Sequence, residues 1–552
     1  MKIVIIGGGA GGATTAARAR RLDEQAEIVI FERGEHVSYA HCGLPYYIGG
    51  VIKDRNSLLI SNPQQMKSRY RIEARIRSQV KAIKPDGKMI EVVDLHTGKQ
   101  YQESYDKLVL SPGAEAIRPS LPGIDSEGIF TLRNLTDADV IVKFITERQP
   151  GEAVVVGGGF IGLEMAENFK IRGIGVTVVE MLDQVMPNLD HDVAVMVQQT
   201  LKTNGIRLVL ADAVASFARS KGRILVTLKS GLELNCDMVM LSIGVKPNIE
   251  LARSAGLEIG NRGGIKVNEY MQTSNPDIFA VGDSVETTHM VTGEPSLIAL
   301  AGPANRQGRL VADNIYGRKV AYRGTLGTSV VRLFDRTAAA TGANEKTLQR
   351  LGLPYQKCYL HPFSHATYYP NATQMAMKLL FSPGSGRILG AQIVGDDGVD
   401  KRIDVLATAI MAGMGVEDLT HLELGYVPQY GSAKDPVNIA GYVASNIVRG
   451  DVSVAYWDEV SRMTSDKDVL LDVRTKEEFS QDAAPLATNL PLDELRSRLG
   501  ELDKDATIYP YCRVGQRSYI ATRILKQRGF DVKNISGGFL TYKTSKPDGV
   551  ES

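Results

Sequence analysis

The sequence predicts an α/β protein made of two copies of one β-α-β unit, then an α+β segment, then a short α/β module. Three observations carry this. "KIVIIGGGAGGATTAARARR" passes from a β-branched strand through a glycine turn into an alanine- and arginine-rich helix, and "EIVIFER" follows as a second strand ending at Glu32. The same order returns in "EAVVVGGGFIGLEMAENFKIRG" and "GVTVVEM". From about residue 326 the pattern becomes mixed strands and helices, including "VDKRIDVLATAIMAGM". A linker around residues 446 to 460 then leads into a module containing "VLLDVRTKEEF", "IYPYCRVGQRS" and "VKNISGGF".

At 552 residues the chain has room for three or four domains of about 150 residues each. Its 64 basic and 63 acidic residues nearly cancel and form no long run of one sign. Composition thus gives no electrostatic reason to expect nucleic acid or an anionic membrane as partner, and points to small molecules. The four cysteines, Cys42, Cys236, Cys358 and Cys512, are far apart and form no CxxC pair. A disulfide framework or zinc site is therefore not expected, and the histidines show no metal-ligand spacing. The apolar start breaks into glycines within a few residues, unlike a signal peptide or membrane span. The expectation is a soluble, cytoplasmic protein without metal.

Gly7-x-Gly9-x-x-Gly12 is either an ordinary turn or a dinucleotide cradle. Its place between strand and helix, with Glu32 downstream to accept from ribose hydroxyls, favours the cradle. The helix start would offer amides and positive potential to the pyrophosphate. Gly157-x-Gly159-x-x-Gly162 with Glu180 repeats the logic. An acid at that strand end accepts from a ribose 2′-hydroxyl and repels a 2′-phosphate, so NADH is expected over NADPH. Two adenine dinucleotides in one chain suggest a flavin passing on electrons from nicotinamide. Cys236 and Cys358 lie in strand-like segments and read as small buried hydrophobes. Cys42, in "SYAHCGLPYY", is either another or a reactive thiol.

The order of the fingerprints, "TSNPDIFAVGDSVE" after the second, and a cysteine soon after the first unit resemble the two-dinucleotide flavoprotein disulfide reductases, over residues 1 to about 450. The resemblance implies an α/β flavoprotein with two dinucleotide-binding domains, a C-terminal α+β dimerisation domain and the appended module. The expected bounds are 1–149 and 271–325 for the FAD-binding domain, 150–270 for the NAD-binding domain and 326–446 for the dimerisation domain. FAD would rest on the first fingerprint with Glu32 and Asp283, and NADH on the 157–180 segment. Phe160 sits where such enzymes place an aromatic gate over the flavin, or else is a packing residue.

Members that reduce glutathione carry a paired CxxxxC, whereas here one cysteine stands alone. "SYAHCGLPYYIGG" is similar to the single-cysteine coenzyme A-disulfide reductases, which usually have asparagine before the cysteine where this chain has His41. His41 is open to three readings: an imidazolium that lowers the thiol pKa, a polar ligand contact, or packing. "ELGYVPQYGSAKDPVNIAGYVASN" resembles the signature of the same subgroup. Its Tyr426, with Tyr368 of "HATYYP", matches two tyrosines that in that family reach the partner subunit's cysteine, which implies a homodimer. The subgroup binds coenzyme A near the first helix. Matching positions are Thr14, Arg18, Arg21, Ser38, Tyr39 and His41; the arginine forks suit phosphate groups, or else are solvated surface.

The last module, expected over 460–550, resembles a single-domain rhodanese. "LLDVRTKEEF" and "NISGGF" look like the flanking motifs and "CRVGQRS" like the active loop. The family's Gly-His after "EEF" is missing. A cysteine between a buried strand and a helix can be ringed by amides, which with Arg513 and Arg517 would favour a Cys512 thiolate or persulfide anion.

The resemblance implies a homodimeric FAD enzyme in which NADH drives reduction of coenzyme A persulfide, coenzyme A disulfide or polysulfide at Cys42, while Cys512 carries sulfane sulfur. Coenzyme A would be both ligand and product. The fusion would raise the effective concentration of one site at the other, into the millimolar range if the linker lets them meet. Three alternatives stay open: an NADH oxidase or peroxidase whose cysteine cycles through sulfenic acid, a protein that is chiefly a sulfurtransferase, and a rhodanese module kept for interaction or sensing.

Overall fold

The computed structural model describes residues 1–460 and 467–545. Residues 461–466 and the last part of the expected 460–550 module lie outside the described residues. The chain divides into two compact units, one of Met1–Asp183 with Gly205–Gly327, the other of Gln184–Asn204 with the residues from Thr328 onward.

The N-terminal unit holds two five-stranded parallel sheets of like topology. In the first, β1 (Lys2–Ile6) leads into helix α1 (Ala10–Leu22) and back to β2 (Glu27–Phe31). A short helix α2 (Leu44–Gly49) and strand β3 (Glu73–Arg75) follow, then β4 (Lys107–Leu110). The second sheet takes β5 (Ile129–Thr131), β6 (Glu152–Val156), helix α3 (Phe160–Ile171) and β7 (Gly175–Val179). Helix α4 (His191–Thr203) leaves for the C-terminal unit, and the chain returns as β8 (Ile206–Val209) and β9 (Met238–Leu241). Strand β10 (Ile278–Ala280) then rejoins the first sheet and helix α5 (Ala301–Ile315) packs on α1. The strand orders are β10-β4-β1-β2-β3 and β5-β9-β6-β7-β8. The continuous apolar runs follow from burial on both faces: Ile3, Val4 and Ile5 of β1 and Val155 of β6 are fully enclosed. Each glycine fingerprint leaves the carboxyl end of a central strand, where the sheet's strand order reverses and such folds bind ligands.

In the C-terminal unit, β11 (Ser329–Leu333), β12 (Arg336–Gly342), β13 (Gln356–Leu360), β14 (Ala376–Phe381) and β15 (Ile388–Gly395) form an antiparallel sheet ordered β11-β12-β15-β14-β13. Helices α6 (Val399–Met411) and α7 (Pro436–Val448) follow. Helix α4 is tied to this sheet by Lys378 of β14, buried among Asp190 at 3.0 Å, Asp192 at 2.9 Å and Glu345 at 2.5 Å. Three carboxylates compensate the buried ammonium, whose pKa is raised despite the opposing burial. The module is a parallel sheet built on β16 (Asp468–Asp472), followed by helix α8 (Lys476–Gln481), β17 (Thr488–Asn489), β18 (Thr507–Tyr511), helix α9 (Gln516–Gln527), β19 (Asp531–Val532) and helix α10 (Gly538–Ser545). Among the described residues no helix is long and apolar enough to cross a membrane.

Candidate functional site

The two fingerprints fold alike. Gly7 and Gly157 have φ of +96° and +108°, and a Cβ there would meet the carbonyls of Ser111 at 2.0 Å and Ser242 at 2.4 Å. A Cβ on Gly12 or Gly162 would lie 2.0 Å from the oxygen of Gly7 or Gly157, so these glycines let helix and strand approach. Gly9 and Gly159 differ, since nothing lies within 4 Å of a Cβ placed on either. Both begin their helices without a side-chain cap, which leaves first-turn amides pointing into open space. That space and those donors fit a pyrophosphate.

The strand-end acids are set by the same turns. Glu32 accepts from the amides of Gly8 at 3.0 Å and Gly34 at 2.8 Å. Glu180 accepts from Gly158 at 2.6 Å and Leu182 at 2.9 Å. Asp283, in a turn after β10, pairs with Arg133 at 2.9 Å. Phe160 is the first residue of α3 and is partly buried.

Cys42 lies exposed in a tight helical turn, His41–Gly43, that runs directly into α2. Partial burial of the thiol, then the carboxylates of Glu164 and Asp283, push its pKa up, against a backbone amide and Arg133. His41 stacks on Tyr39 with centroids 4.2 Å apart and planes at 27°. Burial first, and Arg133 second, lower the His41 pKa, so the ring is neutral at pH 7. Of the three readings open for this residue, the imidazolium that activates Cys42 does not fit this geometry. Tyr39 has its own pKa raised by burial and then by Glu32, and Ser38 is buried in the strand beside it.

The sequence reading missed Tyr46 and Glu164. The Tyr46 hydroxyl donates to Glu164 of α3 at 3.3 Å, four residues beyond Cys42. Burial, with the Glu167 carboxylate adding to it, raises Glu164 to about 7. The only hint was an acid inside the apolar run "GFIGLEMAE". On α1, Thr14 donates to Asn305 at 2.6 Å, and Arg18 holds Asp313 through Nη2 at 2.7 Å and Nε at 3.1 Å. Arg21 is exposed and donates to the carbonyl of Ala17 at 2.9 Å. These three share one face of the helix at i, i+4 and i+7.

In the C-terminal unit the hydroxyls of Tyr368 and Tyr426 meet at 2.6 Å, although the residues are 74% and 48% exposed. In the module, Cys512 follows β18 and is 1% exposed. Its sulfur accepts from the amide of Gly515 at 3.1 Å. Helix α10 steadies the loop, Phe539 and Leu540 donating to the carbonyls of Cys512 at 2.7 Å and Arg513 at 2.9 Å. Arg517 is held by Glu478 through two bonds of 2.6 and 2.8 Å and reaches the Cys512 side chain. Glu478 lies in "KEEF", where nothing in the local spacing marks it as the partner of Arg517. His361, just after β13, bonds Thr541 of α10 at 2.7 Å; burial and then Arg513 lower it to about 4. Cys236 and Cys358 are buried, and burial pushes both thiols up to about 12.

Two parallel dinucleotide cradles and a lone accessible cysteine after the first define a two-nucleotide redox enzyme, and a second cysteine sits in a loop of an attached module. The chain belongs to the pyridine nucleotide-disulphide oxidoreductases. Residues 1–308 match that family, 328–435 its dimerisation domain, and 457–545 the rhodanese-like domain. It is 36% identical to a coenzyme A disulfide reductase of Staphylococcus haemolyticus over 447 residues, 81% of this chain and 100% of the relative. Among solved structures, that of reduced Bacillus anthracis CoADR-RHD is 50% identical, with TM-score 0.97 over 99% of this chain and 98% of the other. A NAD-dependent persulfide reductase from A. fulgidus is 38% identical, with TM-score 0.91 over 98% and 100%. The expected fold class and family resemblance are therefore borne out, and the chain is an oxidoreductase of the kind that uses FAD and NAD(P)H.

Proposed function

We propose that this protein is a homodimeric, cytoplasmic NADH-dependent reductase of coenzyme A persulfide, coenzyme A disulfide or polysulfide, coupled to sulfur transfer at Cys512. One observation carries the reading: Cys42 is exposed beside the first cradle, while the other three cysteines are buried. A thiol without a protein partner stores its redox state as a mixed disulfide with the substrate.

FAD held on the Gly7-Gly9-Gly12 turn with Glu32 and Asp283 would, once reduced by NADH, supply the electron pair that Cys42 needs. The Cys42 sulfur attacks a sulfur–sulfur bond of the substrate, joining one half and releasing the other as thiolate or hydrosulfide. Two-electron reduction of that mixed disulfide, with uptake of one proton, would return Cys42 and release the joined half as a thiol, which is coenzyme A for the coenzyme A substrates. The chain around Cys42 favours the thiol, so the thiolate needs hydrogen-bond donors during the cycle. The Tyr368 and Tyr426 hydroxyls, brought from the partner subunit, supply them. Thr14, Arg18, Arg21, Ser38, Tyr39 and His41 line the coenzyme A path. A preference for NADH is supported by Glu180, whose carboxylate is held by two amides at the strand end and would repel a 2′-phosphate. In the rhodanese domain, the Gly515 amide and Arg517 stabilise the anionic sulfur of a Cys512 persulfide.

The test is steady-state NADH oxidation with coenzyme A disulfide, coenzyme A persulfide, polysulfide, peroxide and oxygen. The reading expects the coenzyme A substrates to have the highest kcat/KM, and Cys42→Ser to lose that turnover while keeping FAD. Equal rates with oxygen or peroxide alone would favour an oxidase that cycles through sulfenic acid.

A further inference from the structure

Tyr368 and Tyr426 sit on two exposed loops, yet their hydroxyls share a 2.6 Å hydrogen bond. Exposed tyrosines ordinarily sample several rotamers, so a fixed pair needs loops held by something rigid. Beneath both loops lies Arg402 of α6, only 1% exposed. Its Nη2 donates to the carbonyl of Ser364 at 2.9 Å and that of Tyr430 at 3.3 Å, and Nη1 to Gly398 at 3.1 Å. Ser364 precedes Tyr368 by four residues and Tyr430 follows Tyr426 by four, so one guanidinium grips both loops. Asp435, which caps α7, compensates the charge at 3.0 Å. Neighbouring Lys401 reaches the carbonyl of Gly425, adjoining Tyr426, at 3.4 Å. The amide of Ala366 donates to Gly431 at 3.0 Å, stapling one loop to the other. Gly398, with φ of +71°, makes room: a Cβ there would stand 2.1 Å from Nη1.

We propose that the buried Arg402–Asp435 pair is the positioning device that holds Tyr368 and Tyr426 together for the reaction at the partner's sulfur centre. The inference rests on the tyrosine role in the reading above. Arg402 touches no substrate and acts through the two loops. The planar fork serves a carboxylate and three carbonyls at once, whereas a lysine ammonium, with three donors on a flexible stem, cannot span the same set.

The experiment is a double-mutant cycle on the full-length holoenzyme: Arg402→Lys, Tyr426→Phe and the combination, assayed as NADH-driven reduction of coenzyme A disulfide. Misplacing a reacting group costs up to about a hundredfold, so Arg402→Lys is expected to lower kcat roughly tenfold. The KM for NADH and the rate at which NADH reduces the FAD should stay unchanged. In the Tyr426→Phe background Arg402→Lys should add clearly less than in the wild type, because only its route through Tyr368 remains. A merely structural role would instead multiply the two effects, which overturns the proposal. Full turnover by Arg402→Lys beside an impaired Tyr426→Phe overturns it while sparing the functional reading. Full turnover by Tyr426→Phe and Tyr368→Phe overturns both. If Arg402→Lys gives no folded dimer, Asp435→Asn enters the same cycle with the same outcomes.

Discussion

Replacing Glu478 by glutamine isolates what the rhodanese loop needs from its surroundings. Glu478 holds both ends of the Arg517 fork at 2.6 and 2.8 Å, and that contact is the main reason its pKa falls from 4.5 to about 2. The full linkage of that depression is about 3 kcal/mol. Both side chains are about a third exposed, 34% and 31%, and solvent screening reduces the pair to about 1 kcal/mol of stability. A depressed carboxyl stabilises the fold above its unfolded pKa and loses that contribution as pH falls through the folded value. The pair is therefore fully present from pH 5 upward and disappears between about 4.5 and 2. The functional cost is larger, because Arg517 is also the cation facing Cys512. A charged hydrogen bond contributes about 1.5–3 kcal/mol, so a loosened Arg517 should slow sulfur transfer from thiosulfate to cyanide roughly 10- to 100-fold at pH 8. NADH-driven reduction of coenzyme A disulfide should be untouched. Sulfur transfer at the wild-type rate in Glu478→Gln would refute the role given to Arg517.

Other perturbations separate the remaining parts. Gly159→Ala adds a methyl where nothing lies within 4 Å, so it should fold and keep FAD; the methyl displaces a phosphate from its amides, and the Kd for NADH in stopped-flow flavin reduction should rise at least about tenfold. Above pH 7 the ionised Glu164 disfavours the Cys42 thiolate, so Glu164→Gln should speed alkylation of Cys42 by iodoacetamide at pH 8 and leave it unchanged at pH 5. Because that carboxyl pKa is raised, the fold also binds a proton that the unfolded chain has lost between about 4.5 and 7. The variant should accordingly gain denaturant resistance over wild type only as pH rises through that window. Cys512→Ser should abolish thiosulfate sulfur transfer and leave coenzyme A disulfide reduction intact; joint loss of both activities would show that the sites do not divide the labour.

The parts legible in the sequence are those whose physics is local. Gly7 and Gly12 meet within one turn, so their spacing announces the cradle, and Glu32 reports from the next strand end. The solitude of Cys42 is a matter of counting. Pairings made across the chain leave no such spacing. Glu164 reaches the Cys42 neighbourhood from a helix more than a hundred residues away, Arg402 finds Asp435 across α6 and α7, and Glu478 finds Arg517 across the module. His41 illustrates the limit best. An activating cation, a ligand contact and packing were all open for it, and burial and Arg133 remove the first by lowering the pKa of the ring, which stacks on Tyr39. Helix α4 shows the same for domains, since Lys378 draws into the C-terminal unit a segment whose sequence continues the second β-α-β unit.

In the proposed cycle Cys42 works alone, through a mixed disulfide with coenzyme A. Mass spectrometry of the holoenzyme after reaction with coenzyme A disulfide, before and after NADH is added, tests it most directly. One coenzyme A moiety is expected on the Cys42 peptide, released by NADH as the free thiol. A Cys42 peptide that stays unmodified, or carries oxygen in place of coenzyme A, would contradict it.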